Sequence, residues 1–139
     1  MELRTNTEGL NIENTSSLFQ SVAWGSSLTP ENMLHAVMAS DHIVTAWDGD
    51  TLIGLVRSLD DGVWSSNIDC MMVRRENQRK GVARAMITKL LEQLKDISYI
   101  SVSPNEKYII PLYTSVGFRL IENGSLLQID NTHRGGTDE

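Results

Sequence analysis

The chain is short of cysteine, of long apolar runs and of positive charge, and each shortage excludes something. Its 139 residues include a single cysteine, Cys70, so no internal disulfide can form. A lone thiol fits a reducing compartment. No apolar run approaches the ~18 residues needed to cross a bilayer. The opening residues Met1 to Asn6 hold no apolar signal region, so a cytoplasmic protein without a membrane partner is expected. The formal net charge is −6. That balance argues against nucleic acid as a partner, because such binding draws its affinity from phosphate neutralisation. The three histidines, His35, His42 and His133, show no metal-ligand spacing, so no metal is expected. No repeat or linker divides the chain. One domain is expected over residues 1–130, followed by a tail, 131–139, with two glycines and no apolar residue, which reads as disordered.

What is present organises into alternating elements. A thin first strand is expected within Met1 to Thr7. Asn11 to Val22 has helical spacing of Ile12, Leu18, Phe19 and Val22. Thr29-Pro30-Glu31 reads as a cap, a first-turn proline and a first-turn acid, opening a helix that runs to about Ala39. Ile43 to Trp47 and Thr51 to Ser58 read as strands joined by Asp48-Gly49-Asp50, a hairpin signal. Val63 to Val73 returns as a third strand of an antiparallel meander. Val82, Met86, Ile87, Leu90, Leu91 and Leu94 mark an amphipathic helix ending near Asp96. Ile97 to Val102 is a short buried strand parallel to the one before that helix. A short helix to Val116 stops at Gly117. Phe118 to Ile121 and Leu126 to Ile129 are expected to close the fold as a hairpin through Asn123-Gly124.

The most informative stretch is Val73-Arg74-Arg75-Glu76-Asn77-Gln78-Arg79-Lys80-Gly81-Val82-Ala83-Arg84. A strand enters it and a helix leaves it. Free N–H groups of a first helical turn, together with the helix dipole, make an anion site there. Gly81 lets the backbone approach a phosphate. Arg74, Arg75, Arg79, Lys80 and Arg84 are five of the chain's twelve basic residues. A basic island on an acidic chain points to a small anionic ligand. The alternative, solvated charge at a helix start, opposes the dipole by roughly 0.3–1 kcal/mol per cation. No GKS or GKT follows, and no three-glycine fingerprint is present, so neither a nucleoside-triphosphate loop nor a dinucleotide site is indicated.

Gln78-Arg79-Lys80-Gly81-Val82-Ala83 resembles the acyl-CoA pyrophosphate motif of the GNAT superfamily of N-acetyltransferases: Gln or Arg, two residues, Gly, one residue, then Gly or Ala. Leu112-Tyr113 followed by Gly117-Phe118 resembles that family's second signature. The resemblance spans roughly residues 1 to 130 and is strongest from Ile68 to Phe118. It implies an α/β fold of GNAT type. The sheet would be mixed, of about six to seven strands, with an antiparallel N-terminal meander and a parallel central pair, flanked by about four helices.

The resemblance also implies acetyl-CoA as co-substrate and a primary amine, on a small molecule or a protein, as acceptor. Gln78, Arg79, Lys80, Gly81, Val82, Ala83 and Arg84 would hold the phosphates. Backbone groups of Met71, Met72 and Val73 would pair with the pantetheine arm as an added strand does, with the Met71 N–H as oxyanion donor. A bulge or splay in that strand would be needed to free those groups. Asn105 falls near a family asparagine that touches the cofactor, one residue farther from Tyr113 than usual. Tyr113 matches the tyrosine that protonates the leaving thiolate, a fair task for a phenol. Some members carry a glutamate on the third strand; Asn67 stands there and cannot serve as a base. Asp69, two residues on and on the same face, is either the base or a partner for a nearby arginine.

Other residues carry paired readings. Trp24 either lines the acceptor pocket or fills the core. Asp60-Asp61 either attracts a cationic amine or shapes a turn. Cys70 is read as a small packed thiol rather than an acyl carrier, which favours direct transfer with both substrates bound. The alternative to an enzyme is an acyl-CoA-binding regulatory module without catalysis. A homodimer through edge strands is plausible on architecture alone.

Overall fold

The computed structural model describes residues 1–104, 106–124 and 126–132. Five strands form one mixed sheet in sequential order: β1 (Glu2–Arg4), β2 (His42–Asp48), β3 (Thr51–Asp60), β4 (Ser65–Val73) and β5 (Tyr99–Val102). The first four are antiparallel neighbours, and β4 and β5 are parallel. The parallel pair requires a crossover, supplied by α3 (Val82–Gln93).

Helices cover both faces. On one side α3 lays Val82, Met86, Ile87 and Leu90 against Val44, Ile53, Val56 and Ile68 of the sheet. On the other, α1 (Ile12–Ser21) and α2 (Pro30–Met38) bring Leu18, Phe19, Met33 and Val37 onto Ile43, Trp47, Leu52, Leu55 and Met72. α4 (Ile110–Ser115) adds Tyr113 to the α3 side. The helix starts follow from local chemistry. Asn11 and Asn14 exchange side chain and backbone bonds in a capping box, and Thr29 accepts from the Asn32 N–H ahead of Pro30.

One irregularity in β4 positions everything that follows. Arg57 faces Asp69 and Leu55 faces Met72, so the single residue Val56 stands opposite Cys70 and Met71 together. Cys70 has φ of +58°, in the left-handed region that costs a side-chain-bearing residue roughly 1–2 kcal/mol. This is a β-bulge, and it resets the strand's alternation. Ile68 and Met72 are four residues apart and would share a face in a regular strand. Here Ile68 packs toward α3 and Met72 toward α1 and α2.

α3 packs closely because β3 carries Gly54. A Cβ there would stand 2.9 Å from Met86 Cε and 3.2 Å from the Met72 carbonyl oxygen. Gly54→Val should therefore overpack this contact and lower stability by about 1–3 kcal/mol, read as a fall in the urea midpoint.

The expectation of six to seven strands is corrected: the sheet has five among the described residues. The hairpin expected over Phe118 to Ile121 and Leu126 to Ile129 does not form there. Its side chains have no surface to cover. Leu120, Ile121, Leu126, Leu127 and Ile129 are all exposed, and a lone hairpin without a packed face is marginal in water. Phe118 does find a place, edge-on to Tyr113 with ring centres 5.5 Å apart. The expected β1 shortens to three residues, while the other elements match within a few residues. Most of the expected tail, 133–139, lies outside the described residues.

Candidate active site

The β4–β5 pairing runs from Ser65↔Tyr99 to Ile68↔Val102 and then stops. Beyond it the chains diverge, and Asp69 to Val73 has no strand on that side. A cleft of about 970 Å³ opens in the gap. One wall is β4 from Ile68 to Val73 and the loop into α3. The other is Val102 to Pro104 with Glu106, Tyr108, Ile109, Leu112 and Tyr113. Val22 and Trp24, from the end of α1, reach its rim.

The loop between β4 and α3 is built to expose donors. Arg75–Asn77 forms one 3₁₀ turn. Arg79 (φ +64°) and Gly81 (φ +84°) then both take left-handed conformations. Gly81 occupies the cap position of α3 without any side-chain cap. Among the described residues, the amides of Arg79 to Arg84 find no acceptor within the chain. Such amides at a helix N-terminus, with the dipole behind them, suit an anion. Gln78 lines the cleft, and its side-chain amide donates to the Val73 carbonyl at 2.9 Å, closing the loop on the strand.

The basic island divides into two groups. Arg74 is structural: its guanidinium donates to the Leu52 carbonyl and to Ser17 Oγ, both at 3.1 Å. Arg75 donates to the Ser21 carbonyl at 2.7 Å and fastens the loop to α1. Arg79, Lys80 and Arg84 have no such partners. Arg79 and Arg84 line the cleft, and Lys80 lies beside it.

Tyr113 is 4 % exposed and lines the cleft from α4. Burial pushes its phenol up to about 12. Asp69 lies in the cleft wall, with its carboxylate paired to the Arg57 guanidinium. Cys70 is half-buried, and burial pushes its thiol up to about 12, with the adjacent Asp69 charge as a further cause. The thiolate is the nucleophile. Little of it is present at neutral pH. Alkylation of Cys70 by iodoacetamide at pH 8 should thus be about 1000-fold slower than that of a free thiol, and thiol titration over time checks this.

The acidic pair resolves as turn chemistry. One Asp61 oxygen accepts from the amides of Val63, Trp64 and Ser65, which hold its carboxyl below the usual range. Asp60 accepts from Gly62 N–H and pairs with His42 Nδ1 at 2.8 Å. Asn105 lies outside the described residues. No group of His, Cys, Asp and Glu among the described residues is arranged to hold a metal. Sequence reasoning missed Ser103, Pro104, Glu106 and Tyr108, which form the far lip. The available signal was their place just after β5, since clefts of open α/β sheets form beyond the carboxyl ends of parallel strands.

Residues 12–126 match the family model described as an acetyltransferase (GNAT) domain. The chain belongs to the GNAT acetyltransferase family. It is an acyltransferase, and enzymes of this family acetylate acceptors from acetyl-CoA. The fold is shared with solved members. A Staphylococcus aureus protein described as a probable acetyltransferase is 19 % identical with a TM-score of 0.80, over 93 % of this chain and 99 % of that one. A GNAT family acetyltransferase from Streptococcus pneumoniae is 22 % identical with a TM-score of 0.78, over 93 % and 97 %. A predicted acetyltransferase from Clostridium acetobutylicum, solved with acetyl-CoA, is 14 % identical with a TM-score of 0.65, over 94 % and 96 %. No helix among the described residues is long and apolar enough to cross a membrane.

Proposed function

We propose that this GNAT domain transfers an acetyl group from acetyl-CoA to a primary amine of a small molecule or protein, by direct attack while both substrates are bound. The observation that carries this reading is the bulged end of β4, freed from β5, beside the uncapped N-terminus of α3. Those features fit the two ends of one ligand. The unpaired amides of Arg79 to Arg84 suit its phosphates, with Arg79 and Arg84 adding charge. The side of β4 that β5 leaves open at Met71, Met72 and Val73 suits an arm carrying amides, the Val73 carbonyl being already held by Gln78. Acetyl-CoA supplies an acyl group already activated as a thioester.

The protein's own groups then divide the remaining work. The Met71 N–H, in the bulge, is the donor to the carbonyl oxygen of that thioester, where negative charge develops. Tyr113 holds the proton for the leaving sulfur; its raised pKa keeps the phenol protonated at any physiological pH. Asp69 takes the proton from the amine, directly or through water, with Arg57 fixing the carboxylate. Cys70 takes no covalent part, since burial keeps its thiol neutral. Trp24 and Tyr108 sit at the rim, where an acceptor would enter.

The test is thiol release from acetyl-CoA with a panel of small amines and lysine peptides. Amine-dependent release, with mass spectrometry showing the acetylated amine, is expected. Binding of acetyl-CoA without release on any amine would favour the regulatory module instead.

A further inference from the structure

Arg57 is a largely covered arginine on β3, 12 % exposed at its side chain, and its partners extend beyond the Asp69 carboxylate. It is the last residue in regular register before the β4 bulge, directly opposite Asp69. Its side chain joins three elements. One guanidinium nitrogen donates to the Ala36 carbonyl of α2 at 3.1 Å, and Nε donates to Asp69. The Ala36 carbonyl belongs to the last turn of α2, where carbonyls lack helical partners and a cation complements the dipole.

The bulge has an intrinsic cost, because Cys70 sits at positive φ. Such a conformation persists only where its surroundings over-determine it. Asp69 and Cys70, consecutive residues, both turn toward the α2 side of the sheet. The guanidinium holds the first of them, directly before the left-handed residue. Met71 then turns back toward α3. Without Arg57, the last regular pair before the left-handed residue loses its cross-strand ion pair and its tie to α2. The strand's remaining preference is for unbulged pairing, which would carry the Met71 N–H to a different direction.

We infer that Arg57 is a positioning residue: bound to Ala36 and Asp69, it holds the β4 bulge and so aims the Met71 N–H into the cleft. This rests on the acetyl-CoA reading above but assigns a role to a residue outside the cofactor loop. It separates two properties of the site. Phosphate binding by the Arg79 to Arg84 amides should be independent of Arg57, whereas placement of the reacting carbonyl at Met71 should depend on it.

The experiment is amide NMR of the full chain titrated with acetyl-CoA, for the wild type, Arg57→Met and Arg57→Lys. In the wild type, the amides of Gly81, Val82 and Met71 should all shift. In Arg57→Met the Gly81 and Val82 shifts should persist with Kd within about twofold, while the Met71 shift is largely lost. With an acceptor identified, kcat should fall about 100-fold or more at unchanged Kd, the scale of a lost oxyanion donor. Arg57→Lys keeps the charge but lacks the fork that reaches two acceptors, and should give the same split in smaller measure. It decides the matter if the methionine variant does not fold. An unchanged Met71 shift in a folded variant overturns the inference, as does loss of the loop and Met71 shifts together. A wild type whose loop shifts but whose Met71 does not overturns this inference alone. A wild type with neither shift overturns the acetyl-CoA reading and this inference with it.

Discussion

Tyr113→Phe should lower turnover at least about 100-fold, the scale of a lost general acid, while acetyl-CoA affinity stays within about twofold. The substitution removes one hydroxyl and leaves the ring against Phe118, so packing is retained. Binding is expected to persist because the unpaired amides of Arg79 to Arg84 lie on a different element. The pH behaviour carries a further signature. Burial raises the phenol from 10 to about 12, so Tyr113 remains a proton donor across the assay range. The alkaline limb of kcat should therefore not appear below about pH 11. A wild-type limb near pH 9, or turnover by Tyr113→Phe within about threefold of the wild type, would remove Tyr113 from the proton transfer. Stability has the same sign. Cys70 and Tyr113 both have folded values raised to about 12, from 9 and 10. Their contribution is complete below pH 9 and is lost as pH rises toward 12. Thermal melts from pH 7 to 12 should show Tm steady at first and falling in that window.

The double variant Arg79→Glu/Gly81→Glu should weaken acetyl-CoA binding by at least about 100-fold. Reversing Arg79 replaces a charge-assisted contact, worth about 1.5–3 kcal/mol, with repulsion. Gly81 has φ of +84°, so any side chain there pays roughly 1–2 kcal/mol. Space is not the obstacle, since a Cβ at Gly81 meets nothing within 4 Å. The carboxylate instead stands at a helix N-terminus, where it competes with the ligand for the same amides. Isothermal titration reads the effect directly. Micromolar binding by the wild type that vanishes in the variant would locate the phosphates on this loop. Equal binding by both would move them elsewhere. The fold should survive, because neither side chain makes a contact that the core uses.

Much of this was legible in the sequence for identifiable reasons. The α3 stripe, the Thr29 cap and the Asp48-Gly49 turn are local signals, set by a few neighbouring residues. The loop between β4 and α3 was legible because a glycine and a run of cations stand between a strand pattern and a helix pattern. The closing hairpin was overestimated for the complementary reason. Asn123-Gly124 between apolar runs states a local preference, but a strand also needs a partner edge and a surface to cover. Arg74 and Arg75 looked equivalent to Arg79 and Arg84, because charge is readable from sequence and its partner is not.

The sequence by itself determined the order of elements from β1 to α4 and a glycine-centred, cation-rich turn between β4 and α3, since these depend on periodicity, turn residues and charge within a dozen positions. Tertiary structure decided where β4 bulges, where it parts from β5, and that Asp69 is held by an arginine twelve residues earlier. A bulge is a relation between two strands, and a cross-strand ion pair joins residues that adjoin only after the sheet has formed. The opening at the cleft and the aim of its donors therefore follow from pairing, which no single stretch of the chain encodes.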